Sequence, residues 1–110
     1  MARVLSNCIC LQTPDIKKAR TLYEKGFGGS VVNEDEETIE LQSGPLRIFL
    51  DRGEPMGPIL EILVKDVELA REELLRAGWT QITWEGRGNR CYMRDPLGFV
   101  FNLFEDSTPL

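Results

Sequence analysis

A six-residue pattern recurs at a fixed distance along this chain, with Asp, Ala and Arg identical in both copies. Asp15-Ile16-Lys17-Lys18-Ala19-Arg20 is echoed 51 positions later by Asp66-Val67-Glu68-Leu69-Ala70-Arg71. The same offset sets Ile9 and Leu11 of one alternating stretch against Leu60 and Ile62 of another, and a glycine stop follows each echo, Gly26 and Gly78. An isolated echo is weak evidence. A matching strand before it and a matching stop after it read as a duplicated unit. With 110 residues the chain is long enough for one domain, so the two copies are modules of it, at about residues 1–53 and 58–110.

Each copy spells out the same elements. Residues 4–12 alternate, with Leu5, Ile9 and Leu11 on one face, broken only by Asn7, and Ser6, Cys8, Cys10 and Gln12 on the other. That is the period of a half-buried strand. A helix follows, with Thr13 expected as N-cap, Pro14 in the first position and Asp15 against the positive end of the dipole. Ile16, Ala19, Leu22 and Tyr23 form its apolar stripe, Gly26 ends it, and residues 27–29 turn the chain. Strands are predicted over 30–33, 38–42 and 46–51. Residues 52–58, with two Gly and two Pro, read as a connector.

The pattern then restarts with a strand over 59–64, Asp66 as N-cap and a stripe of Val67, Ala70, Leu74 and Ala77. Residues 79–85 read as a strand and 86–89 as a turn. The closing stretch, 89–105, is a hairpin about Asp95-Pro96-Leu97-Gly98, a sequence that suits a type I turn. In its returning strand Phe99, Phe101 and Leu103 point one way, and Val100, Asn102 and Phe104 the other.

The totals exclude several classes of function. There is no His, which removes the commonest general base and the commonest transition-metal ligand. A net charge of −5 without a basic run makes nucleic acid a poor partner and a cationic small molecule a better one. No apolar stretch is long enough for a signal peptide or a membrane span. Three Cys, an odd number, fit reduced thiols and a cytoplasmic location.

The order of these pieces resembles the glyoxalase/bleomycin-resistance/extradiol-dioxygenase group, the vicinal oxygen chelate superfamily. The resemblance spans nearly the whole chain. It rests on the Asp15 helix running through Leu22-Tyr23 to Gly26-Phe27-Gly28, the Asp66 helix ending in Ala77-Gly78-Trp79, and the Asp95-Pro96-Leu97-Gly98 hairpin. It implies an α+β fold of two tandem βαβββ modules, an open half-barrel with helices on the convex face and a ligand or metal in the concavity. It also implies a homodimer, in some members with exchanged strands. Leu5, Ile9, Leu11, Leu60, Ile62, Val64, Phe101 and Leu103 would then face the helices. Ser6, Cys8, Cys10, Gln12, Arg47, Phe49, Asp51, Ile59, Glu61, Val100, Asn102 and Phe104 would face the groove.

Metal-using members of that group carry His, Gln or Glu at four positions of the concavity. Carried onto this chain, those positions are Cys8, Phe49 (Ile48 if the register slips by one), Ile59 and Asn102. Cys, Phe, Ile and Asn do not make the mixed nitrogen and oxygen site of those enzymes. No cofactor is therefore expected. Cys8 and Cys10, with Cys91 on a neighbouring strand, read as core or groove thiols rather than a zinc site. Glu40, Asp51 and Glu61 are candidate groove carboxylates, and Phe49, Trp79, Trp84, Tyr92 and Phe104 are candidate stacking surfaces. Arg90 is placed to pair with Glu85.

The ligand site is accordingly read as Cys8, Cys10, Phe49, Glu61, Trp84, Tyr92, Asn102 and Phe104. The function read from it is that of a non-catalytic small-molecule binder resembling the bleomycin-resistance branch, an antibiotic-resistance role. It would sequester a cationic aromatic ligand in a groove of a homodimer. The alternatives are a glyoxalase-like lyase, isomerase or dioxygenase with atypical ligands, or a ligand-sensing or interaction module.

Overall fold

The two echoed aspartates do the same work. Asp15 Oδ1 accepts the Lys18 amide at 3.0 Å, and Asp66 Oδ1 accepts the Leu69 amide at 3.0 Å, so each caps the helix that starts one residue later. Thr13, the expected first cap, instead closes the preceding strand, and its Oγ1 lies 3.5 Å from the Asp15 amide. Asp15 takes the cap because its own backbone is non-helical, at φ −119° and ψ 82°, and its carboxylate reaches the Lys18 amide.

The computed structural model describes residues 3–83 and 90–106. Among them the elements run β1 (Val4–Thr13), α1 (Ile16–Gly26), β2 (Ser30–Glu34), β3 (Thr38–Ser43), β4 (Leu46–Arg52), β5 (Met56–Val64), α2 (Val67–Arg76), β6 (Thr80–Thr83), β7 (Arg90–Arg94) and β8 (Val100–Glu105). This is the α+β order of two βαβββ modules, and the second copy has its full set of strands. Contacts gather the chain into two units, Asn7–Ile59 and Leu60–Leu110 with Met1–Ser6.

In the first unit the strand order is β2-β3-β4-β1, with β4 parallel to β1 and antiparallel to β3. Alternation leaves Ile39, Leu41, Ile48 and Leu50 on one face, where they bury Ile16 of α1 with help from Ile9, Leu11, Ala19 and Tyr23. Burying each large aliphatic side chain contributes about 1.5–3 kcal/mol. A one-residue slip would expose the whole set, so the packing of α1 pins the register. The second unit repeats this as β5-β8-β7-β6. Its core joins Val67 and Ala70 of α2 to Val64, Cys91, Met93 and Leu103, with Ile62, Leu74 and Trp79 against it.

The last residue of each echo also has matching work. Arg20 reaches from α1 to Glu34 of β2 at 2.8 Å, and Arg71 from α2 to Gln81 of β6 at 3.2 Å. The closing hairpin turns as expected, with the Gly98 amide donating to Asp95 O at 3.0 Å. Asp95 Oδ1 accepts the Leu97 and Phe99 amides, both at 2.9 Å. Gly98 sits at φ +97°, where a side chain would strain the backbone.

Five expectations need correction. Leu22 is 61% exposed, because it stands about 100° round the helix from Tyr23 and misses the narrow line along which α1 meets its sheet. Ala77 is likewise exposed, as the C-cap of α2. Leu5 is 60% exposed and joins neither core, and Phe99 lies in the turn at 64% exposure. The connector shrinks to Gly53–Pro55, since β4 runs to Arg52 and β5 begins at Met56. Gly57 within β5 has φ +138°, and a Cβ there would lie 3.1 Å from both Cys10 O and Leu11 Cδ2. Proline and glycine therefore mark a close strand approach rather than a loop.

The packing assigns different weights to two leucines of the first module. Leu50→Ala removes a fully buried side chain and is expected to cost about 2–5 kcal/mol in urea unfolding. Leu22→Ala is expected to stay within about 0.5 kcal/mol. Asp15→Ala and Asp66→Ala should each lose about 1 kcal/mol as caps are removed.

Candidate functional site

Because the helices take one face of each sheet, the other face is left to the alternate residues. In the first unit these form three rows across β1, β4 and β3: Cys8 with Arg47 and Gln42, Cys10 with Phe49 and Glu40, and Gln12 with Asp51 and Thr38. The polar groups here find each other. Arg47 pairs with the Glu40 carboxylate. Asp51 accepts Thr38 Oγ1 at 2.8 Å on one oxygen and Cys10 Sγ at 2.9 Å on the other. Gln12 Nε2 donates to Glu54 O at 3.0 Å. Glu40 and Asp51 are thus engaged within their own module and are not spare acceptors for a ligand.

The second unit has a different balance. Glu61 of β5, Asn102 of β8 and Tyr92 of β7 stand in one row, and Leu63, Phe104 and Arg90 in the next. Asn102 is only 6% exposed, and its Oδ1 has no hydrogen-bond partner among the described residues. A buried acceptor left unmade costs about 1–3 kcal/mol. Its row neighbour Glu61 is half-buried and forms no ion pair or hydrogen bond with the described residues. Arg90 lies with its guanidinium carbon 5.3 Å from the Phe104 ring centre, so that ring already carries a cation. Glu85, the expected partner of Arg90, lies outside the described residues, as does Trp84.

The predicted site residues therefore fall into two sets. Cys8, Cys10 and Phe49 share the open face of the first unit, and Glu61, Tyr92, Asn102 and Phe104 that of the second. Trp79 belongs to neither, since it packs on the core with its ring 5.4 Å from Phe101. Cys91 is also on the helix side, fully buried among Met93, Leu103 and Ala70. Its position in β7 pairs with Leu103, a core-facing residue. Burial pushes the Cys91 thiol above its ordinary range, opposed by the charge of Arg71.

The four positions at which metal-using members of the resembling group bind their ion are a poor donor set here. Phe49 and Ile59 offer only hydrocarbon, and Ile59 is 1% exposed. Among the described residues no three His, Cys, Asp or Glu side chains gather at metal-binding distance. The residues present do not fit the metal of that chemistry.

A cleft of about 920 Å³ runs along α1 beside Leu11, Leu22, Tyr23, Met56 and Pro58. The connector reading hid it, because Met56 and Pro58 counted as loop. Its rim carries both Asp15 and Lys18, so it selects neither sign of charge. The special state of Glu61 and Asn102 was also missed. The 51-residue offset places Glu61 where Cys10 stands, a hint that the two modules differ at this row. That Asn102 Oδ1 has no hydrogen-bond partner among the described residues was legible only in the fold.

The sequence matches no protein-family model and no curated protein. Solved structures do share the fold. The hypothetical protein BH1468 from Bacillus halodurans C-125 superposes with a TM-score of 0.68 at 15% identity, covering 100% of this chain and 99% of that one. Methylmalonyl-CoA epimerase from Mycobacterium tuberculosis gives 0.64 at 17% identity, over 96% and 88%. Homoprotocatechuate 2,3-dioxygenase from Brevibacterium fuscum gives 0.65 at 24% identity, over 96% of this chain. This chain spans 37% of that dioxygenase. The epimerase and the dioxygenase are vicinal oxygen chelate proteins, and the fold is theirs.

The thiols are expected to separate by reactivity. Iodoacetamide on the folded protein should modify Cys8 or Cys10 and spare Cys91, read by peptide mass spectrometry. Since the folded chain holds the Cys91 proton more tightly, its contribution is intact below the ordinary thiol pKa. Stability should then fall as pH rises above about 8.5, where the unfolded chain sheds that proton first.

Proposed function

We propose that this is a non-catalytic small-molecule-binding protein, similar to the bleomycin-resistance branch of the fold, which sequesters a cationic aromatic ligand as a homodimer. The observation that carries the reading is the donor set at the four metal positions, where Phe49 and Ile59 supply no lone pair. Two of the four positions offer an inherited metal no donor, and Cys8 and Asn102 alone do not make the mixed nitrogen and oxygen site of that chemistry. What remains on the open faces suits binding: aromatic side chains for apolar contact, and a carboxylate at Glu61 that no described cation neutralises. The net charge of −5 favours a positive ligand. The antibiotic-resistance role follows from the same likeness.

A second reading, a lyase, isomerase or dioxygenase, draws on the epimerase and the dioxygenase among the structural neighbours. Elemental analysis of protein purified without chelator separates the two. The binder reading expects well under one equivalent of Mn, Ni, Fe or Zn, and near-stoichiometric metal overturns it. Thermal-shift titration with bleomycin and other cationic aromatic compounds tests the ligand class. At about 100 times Kd a true ligand stabilises the fold by about 2.7 kcal/mol, and no shift with any of them removes the cationic-drug proposal.

A further inference from the structure

The open face of the second unit is asymmetric in a way that names a chemical group. On the first unit's face the described carboxylates are satisfied, Glu40 by Arg47 and Asp51 by Cys10 and Thr38. In the equivalent row of the second unit, two acceptors stand side by side without partners among the described residues: the Glu61 carboxylate and the buried Oδ1 of Asn102. We propose that the Glu61–Asn102–Tyr92 row recognises an N–H-bearing cation, a primary or secondary ammonium group, on the ligand. This rests on the small-molecule-binder reading and specifies which part of the ligand the protein reads.

Complementarity selects the group. A bare carboxylate asks for positive charge, which an alcohol or amide does not bring. A buried carbonyl oxygen asks for a hydrogen to accept, which a quaternary ammonium does not have. An ammonium with at least one N–H meets both demands at once, through one charge-assisted bond to Glu61 and one bond to Asn102. Tyr92, next in the row, supplies an aromatic wall for the carbon next to the nitrogen. Phe104 is not available for the cation, because Arg90 already covers its ring and would repel a second charge. The row that holds the acceptors is then the better place for the positive group.

Two probes with one aromatic ring system test this: 2-naphthylmethylammonium and its N,N,N-trimethyl analogue, titrated by NMR into the wild-type protein, Asn102→Leu and Glu61→Gln. The primary amine should bind wild type at least tenfold more tightly than the quaternary one, and Asn102→Leu should abolish that preference. Glu61→Gln should weaken both probes. Equal binding of the two to wild type, or a preference that survives Asn102→Leu, overturns the assignment and leaves the binder reading standing. If neither cation binds, the assignment and the cationic-ligand reading fall together. A ligand-free measurement adds an independent arm. Since Asn102 makes no bond through Oδ1 in the fold, Asn102→Leu should melt at or above the wild-type temperature. A clear drop would give Asn102 a structural role and overturn the proposal.

Discussion

The packing of one short helix against one face of a four-stranded sheet governs everything else in each module. In the first unit Ile16 is fully buried among Ile39, Leu41, Ile48 and Leu50, and in the second Val67 and Ala70 are buried among Val64, Cys91, Met93 and Leu103. Neither sheet has another described apolar layer of its own, so the helix decides which of the two strand faces is dry. Once that is settled, period two assigns every other side chain to the opposite face. The site is what the core leaves over.

That division explains why the same backbone plan yields two chemically different faces. The rows are in register between modules: Cys10 pairs with Phe49 as Glu61 pairs with Asn102. The helix side is apolar in both modules, built of aliphatic side chains with Cys91, Met93, Tyr23 and Trp79. The open side is free to diverge. One copy filled it with mutually satisfied groups, Arg47 with Glu40 and Asp51 with Thr38 and Cys10. The other holds an acceptor with no partner among the described residues. Buried polar groups are ordinarily bonded, so an exception on an open face is where a ligand is most reasonably sought.

Much of the fold was legible because its signals are local. The Asp66 cap, the glycine of the Asp95–Gly98 turn and the alternation of β1, β3, β4 and β8 each depend on a few neighbouring residues. The errors came where a distant contact overrode a local preference. Gly57 and Pro58, which read as a loop, are part of β5 because that strand passes close to Cys10 and Leu11. Leu22 looked like core because helical periodicity says nothing of how wide the partner surface is. Among the site residues, the faces of Cys8, Cys10, Phe49, Glu61, Tyr92, Asn102 and Phe104 could be assigned from alternation alone. Cys91 and Trp79 could not be told from groove residues until their cores were known.

The sequence by itself determined the repeat, the Asp66 cap, the absence of imidazole chemistry and the hydrocarbon at two of the four metal positions. All of these are properties of residue identity and spacing, which folding cannot alter. Only the tertiary structure decided which polar groups satisfy one another. Glu40, Asp51 and Glu61 are equivalent carboxylates on paper. They differ because Arg47, Thr38 and Cys10 are brought to the first two by strand register, and nothing described is brought to the third. Hydrogen bonds depend on distances of a few tenths of an ångström between residues far apart in the chain, and such distances are fixed by packing rather than by sequence pattern.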